Sequence, residues 1–194
     1  NRDWQFFAYD TEGRTILTLE QEDGSMCPTN ELNAIEANVF DNADITNWAL
    51  RNSFDSIATV YDYTPLNGDD ADFNDSFKAR TISRYRYRTL IGRTWKKYSR
   101  GVVGGLATIT TETITAGAQG AKVSDARNSH YIETCYDNEA EGMPLILAGK
   151  PITTTDEDGI TTSYSYSIAN GILTTTKRTF KDGFEAPTMT IAES

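Results

Sequence analysis

Three dipeptides near the C-terminus, Asp158-Gly159, Asn170-Gly171 and Asp182-Gly183, set successive glycines twelve residues apart. Dipeptides of this kind supply the positive φ angles that tight hairpin turns demand, and a fixed interval between them fixes strand length. Between the first two turns, Ile160, Thr162, Tyr164, Tyr166 and Ile168 alternate with Thr161, Ser163, Ser165 and Ser167, a period of two that predicts a strand. Ile172 to Phe180 is rich in Thr and carries no helix-forming run. The N-terminal end repeats the plan. Trp4 to Tyr9 leads to a turn at Glu12-Gly13, and Arg14 to Glu20 to one at Asp23-Gly24, eleven residues on. Nearly equal turn spacing at both ends, twelve and eleven residues, predicts a repeat architecture, an antiparallel meander of hairpins.

Between the two ends, Ser56 to Tyr63, Thr81 to Leu90, Gly92 to Tyr98, Leu106 to Thr115, His130 to Tyr136 and Met143 to Ala148 read as further strands, about ten in all. Thr29 to Leu50 departs from the pattern. Leu32, Ile35 or Glu36, Val39 and Phe40 fall at helical spacing behind a Thr29 cap, predicting a short helical insertion of one or two helices near residues 29–50. Residues 66–76 read as a Gly/Asp/Asn loop, and neither stretch has the composition of a linker between domains. The fold expected is therefore all-β, an open or spiralling sheet over residues 1–194. The start Asn1-Arg2-Asp3-Trp4, already close to a strand, suggests a section of a longer chain.

Tyr9-Asp10-Thr11-Glu12-Gly13-Arg14 matches the YDxxGR core of the RHS/YD-repeat family. Asp156 and Gly159, followed by Thr162, Tyr164, Tyr166, Gly171, Leu173 and Thr174, resemble the family pattern DxxGxxTxYxYxxxGxLT. Tyr61-Asp62 lacks the following Gly and Arg and is a decayed copy at best. The resemblance covers both ends well and the middle poorly. Members of this family form long spiralling sheets that build hollow shells in bacterial polymorphic toxins, Tc toxins and teneurins. The resemblance thus implies a non-catalytic wall or scaffold section, secreted or displayed on a bacterial surface. Its partners would be neighbouring repeats or a cargo domain of the same polypeptide. No Asp-Pro-x-Gly segment of the kind near which such shells release their toxins is present, so no autoproteolytic residue is implied.

Charge is zoned along the chain. The first 75 residues hold sixteen acids and three bases, whereas residues 76–111 hold nine bases and no acid. The net charge of −10 argues against a general nucleic-acid binder. Within the basic zone, Arg84, Arg86 and Arg88 alternate with Tyr85 and Tyr87, which predicts an arginine row on one strand face, suited to a polyanion. The competing reading is a row that pairs with acidic strands or faces water. An alternative to the wall is consequently a carbohydrate-binding or adhesive β-module, with Trp4, Trp48, Trp95, Tyr164 and Tyr166 as stacking candidates. Core packing is the simpler use of those rings, because aliphatic residues are few.

Asp70, Asp72 and Asn74 have the first three spacings of a calcium loop. Position six is Asp75 instead of Gly and position twelve is Thr81 instead of Glu, so the expectation is a weak calcium site or a solvated acidic loop. No other cofactor is expected. Cys27 and Cys135 fit neither a disulfide-dense scaffold nor a paired-cysteine metal site. A lone His130 with Cys135 on the opposite strand face makes no nucleophile–base pair. No apolar run approaches the ~18 residues of a membrane span.

Overall fold

A computed structural model describes residues 5–21, 56–69, 73, 75–186 and 189–193. Twelve strands lie among them: β1 (Gln5–Tyr9), β2 (Thr15–Gln21), β3 (Ser56–Asp62), β4 (Thr81–Arg86), β5 (Thr89–Val103), β6 (Leu106–Thr115), β7 (Ser129–Tyr136), β8 (Pro151–Thr155), β9 (Thr161–Ala169), β10 (Ile172–Lys181), β11 (Phe184–Glu185) and β12 (Met189–Glu193). They form one open antiparallel sheet in which β1 to β11 follow in chain order, and β12 joins β11 along β10. No helix occurs among the described residues. The expected helical insertion at 29–50 and the Asp23-Gly24 turn lie outside them.

The chain divides into two compact units, Asn1–Leu66 with Asp75–Lys96 and Thr115–Asn128, and Asn67–Asn74 with Lys97–Ile114 and Ser129–Ser194. In the first unit, cross-strand register assembles the core row by row. Ala8, Leu17, Val60 and Ser83 stand opposite one another in turn, as do Phe6, Leu19, Ala58 and Tyr85. Paired residues of an antiparallel ladder project to the same face, so these two rows make one apolar surface. Leu17 and Leu19 are fully buried there.

The second unit builds with hydroxyls. Register places Thr134, Thr153 and Ser163 in one row and Ile132, Thr155 and Thr161 in the next. Thr hydroxyls bond across strands, Thr110 to Thr134 at 2.8 Å and Thr155 to Thr161 at 3.0 Å. The face-sharing read from sequence for β9 holds: Thr162, Tyr164, Tyr166 and Ile168 pair with Thr179, Lys177, Thr175 and Leu173. Apolar burial in this unit falls to Ile114, Leu173, and Phe73 stacked on Tyr98 with ring centroids 5.0 Å apart.

Two strand expectations are corrected. Thr81 to Leu90 is not one strand: Tyr87 and Arg88 have φ of 48° and 60°, and the chain reverses there into β5. Five residues on one strand gave period two, but Arg86 pairs with Thr89, closing a two-residue hairpin loop. Met143 to Ala148 forms turns, with the Leu147 and Ala148 amides both donating to the Pro144 carbonyl. This apolar run holds a proline and no alternation, and Leu145 is 94% exposed. The strand lies just beyond, as β8, which three consecutive threonines and a leading Pro151 had not announced.

Candidate functional site

The repeat motif folds into a five-residue loop held by its aspartate. The Asp10 Oδ1 accepts the amides of Glu12 and Arg14, each at 2.9 Å, while the Gly13 amide donates to the Asp10 carbonyl. Its own amide donates to the Arg14 carbonyl, which closes the loop. Gly13 has φ of 81°, a conformation that a Cβ would strain. Asp156 does the same between β8 and β9. Its Oδ1 accepts Asp158 and Ile160 amides at 3.0 and 2.9 Å, the Gly159 amide donates to the Asp156 carbonyl, and the Asp156 amide donates to Ile160. The two loops share every one of these bonds.

Arg14 adds what Ile160 cannot. Its Nε donates to Asp10 Oδ2 at 2.6 Å, one Nη donates to the Ser76 carbonyl, and the guanidinium lies 4.8 Å over the Tyr63 ring. Burial works to raise the Asp10 pKa, but the Arg14 amide and guanidinium and the Glu12 amide outweigh it, and the carboxyl titrates below its ordinary value. Tyr63 donates its hydroxyl to the Thr15 carbonyl at 2.8 Å. In the second unit Tyr166 donates to the Pro151 carbonyl at 2.6 Å with Lys150 Nζ 6.0 Å over its ring. Each unit thus ties a tyrosine to the first carbonyl of the adjacent strand, under the cation that precedes that strand. Burial, then neighbouring Tyr164, Cys135 and Tyr136, pushes the Tyr166 hydroxyl up to about 12, so it remains a donor.

Tyr-Asp also ends β3 and β7. Asp62 Oδ1 accepts the Thr64 amide at 2.8 Å, and Asp137 Oδ1 accepts the Glu139 amide at 2.9 Å. Sequence reading reached the first as a decayed copy and missed Tyr136-Asp137, although the dipeptide itself was the available signal. Tyr164 lies on β9 with Lys177 Nζ 6.0 Å over its ring, and Gly171 completes the β9–β10 turn with φ of 78°.

Lys78 pairs with Asp75 at 3.0 Å, Lys97 with Glu112 at 3.3 Å, and Arg93 Nε donates to Ser83 Oγ at 3.0 Å. Arg80 is buried, its guanidinium donating to the Lys78 and Asp75 carbonyls. Arg84, Arg86 and Arg88 are exposed side chains of the β4–β5 hairpin. Arg84 and Arg86 share a face of β4, whereas Arg88 is in the turn, so the expected three-residue row is a two-residue row with a cation at its tip.

His130 Nδ1 contacts Glu112 Oε1 at 2.9 Å, and Glu112 also holds Lys97. Burial raises the Glu112 pKa, the His130 and Lys97 contacts lower it, and the net shift is downward. Cys135, half-buried, is pushed up to about 11 by burial and then by Glu133, which leaves the thiol protonated and unreactive at neutral pH. A cleft of about 220 Å³ opens between Leu90, Gly92 and Arg93 of β5 and residues 116–121, with Gln119 Nε2 donating to the Leu90 carbonyl across it. Among the described residues no three His, Cys, Asp or Glu side chains converge as a metal group, and no helix is long and apolar enough to cross a membrane. The calcium candidates Asp70, Asp72 and Asn74 and the cysteine Cys27 lie outside the described residues.

No protein-family model, curated protein or solved structure matches the chain.

Proposed function

We propose that the chain is a non-catalytic structural section of an RHS/YD-repeat protein, part of the wall or scaffold of a secreted or surface-displayed bacterial shell. The observation that carries this reading is the shared loop of Asp10 and Asp156, the same set of backbone and carboxylate bonds at the β1–β2 and β8–β9 turns of one meander. A turn fixed by its own aspartate sets strand register locally, so hairpins can be added in series, each pairing with the last. The tyrosine tethers of Tyr63 and Tyr166 support it too, since each pins one strand to the next. The partners in this reading are further repeats and a cargo domain of the same polypeptide.

The test is electron cryomicroscopy of the polypeptide in which this chain is encoded, together with its flanking sequence. Further Tyr-Asp hairpins continuing the meander are the expected result. Flanks without such hairpins, or a polypeptide consisting of this chain alone, overturn the reading.

A further inference from the structure

The large apolar side chains exposed along β7 to β12 are not spread evenly over the sheet. Register sets Glu133, Thr154, Thr162 and Thr179 in one row, and pairs Tyr164, Tyr166 and Ile168 with Lys177, Thr175 and Leu173. Beyond β10, Met189 stands opposite Lys177, Ile191 opposite Thr175 and Phe184 opposite Lys181. Residues in register, and residues two apart on one strand, share a face. Tyr131, Ile168, Phe184, Met189 and Ile191 therefore lie on one face, each 41% to 81% exposed. The opposite face sets Ser163, Ser165 and Ser167 against Arg178, Thr176 and Thr174, and exposes only Ile132 and Ile172 among the large apolar residues of these strands.

An antiparallel sheet ordinarily packs its apolar face and wets its polar one. These strands belong to the second unit, whose described strands form a single layer, whereas a stable core takes two. The five exposed side chains leave roughly 500 Å² open, at about 200 Å² for a large side chain. With the half-buried Tyr164, Tyr166, Thr175 and Lys177 among them, the face approaches the ~800 Å² that each partner of a standard interface buries.

Charge on the face selects its occupant. Glu133 on β7 and Lys177 and Lys181 on β10 bring both signs to it, so a partner of one charge sign would meet like charge. A hydrocarbon surface offers the Glu133 carboxylate no partner. A second copy offers the right one. Glu133 stands level with Thr179, between the two lysines. A two-fold axis along the strands between β8 and β9 lays β7 of each copy over β10 of the other and keeps that level, which brings each carboxylate between Lys177 and Lys181 of the other copy. The net charge of −10 opposes association at a distance, but physiological salt confines that repulsion to about 8 Å and leaves the local balance to decide. We propose that this face of β7 to β12 is the interface of a symmetric dimer, in which a second copy of the chain supplies the missing layer. The proposal is independent of the repeat reading, because it rests on the composition of a face and not on the turns.

Sedimentation equilibrium of the full chain at physiological ionic strength tests it. A reversible monomer–dimer equilibrium in the micromolar range is expected. Ile168→Glu/Ile191→Glu should raise the dissociation constant about a hundredfold or more, with circular dichroism confirming unchanged strand content. Ser165→Glu/Ser167→Glu, on the opposite face, should stay within about threefold of the wild type. Glu133→Lys and Lys177→Glu/Lys181→Glu should each weaken the dimer about tenfold alone. An equimolar mixture of those two variants should restore it, since every mixed contact then joins opposite charges. The proposal is overturned if the chain stays monomeric, if Ile168→Glu/Ile191→Glu dimerises like the wild type, or if the opposite-face variant loses the dimer as fully. A charge-swapped mixture no stronger than its components overturns it too, as does a monomeric chain that cosediments with phosphatidylcholine vesicles.

Discussion

Asp10 and Asp156 do the same work on their backbones, yet their loops differ in what the fifth residue adds. Arg14 gives Asp10 an ion pair at 2.6 Å and a stack on Tyr63, while Ile160 gives Asp156 neither. Hydrogen bonds to a charged partner contribute more than neutral ones, so Asp10→Ala should cost about 2–3 kcal/mol. Asp156→Ala should cost about 1 kcal/mol, the usual loss of a capping acceptor. Urea denaturation of the two variants checks the order; equal losses would remove Arg14 from the account. The Asp10 carboxyl also titrates below the ordinary aspartate value of about 3.9, so its contribution is complete above that pH and is lost as pH falls through the lower folded value. Asp10→Asn, which keeps an oxygen for the amides, should therefore flatten the acid limb of the stability curve below about pH 4. An unchanged acid limb would exclude Asp10 as its source.

At the scale of elements, the turn chemistry was legible wherever it used Gly, Asn or Asp. Asn170-Gly171 and Asp182-Gly183 turn where their residues say they should, and the Asp10 and Asp156 loops could be placed from spacing alone. Tyr87-Arg88 was not legible, because its residues prefer strand, and only the ladder pairing of Arg86 with Thr89 forces the reversal. Met143 to Ala148 misled in the opposite sense: its apolar residues suit a strand, but the Met143 amide turns back to the Ala140 carbonyl and the Leu147 and Ala148 amides to that of Pro144. The connection from β6 to β7 is likewise set by side chains distant in sequence. Asn128 Oδ1 accepts the Gly117 amide at 3.2 Å while its Nδ2 donates to the Lys122 and Val123 carbonyls. A Cβ at Gly117 would come 1.9 Å from the Arg127 carbonyl oxygen. Gly117→Ala should cost about 1–3 kcal/mol by forcing that backbone apart. Asn128→Ala should lose about as much by removing the three bonds that this buried amide makes to the loop backbone. A change below about 0.5 kcal/mol in either variant would show that the loop is not held this way.

For the whole molecule, a low aliphatic content is distributed unequally. The first unit concentrates its buried aliphatics in a continuous cluster of Ala8, Ile16, Leu17, Leu19, Ala58 and Val60 with Tyr85. The second relies on cross-strand pairs of Thr hydroxyls with a few buried apolar residues, among them Ile114 and Leu173. Composition announced the shortage but not its division, since which strands share a core is decided by register between residues as distant as Leu19 and Ala58. Truncation of Leu19, which is 0% exposed, removes side-chain volume at the centre of the first cluster and should cost about 2–5 kcal/mol. The loss belongs to one unit, because Leu19 packs within that cluster. Native-state hydrogen exchange of Leu19→Ala should therefore accelerate amides of β1 to β4 well before those of β8 to β10. Thr162, by contrast, is buried in the second unit and bonds Thr179 at 3.2 Å, so Thr162→Val should reverse the pattern, accelerating β8 to β10 by removing a cross-strand hydroxyl pair. Uniform acceleration in both variants would mean that the two cores melt as one cooperative body, and the division into units would then describe packing without describing stability.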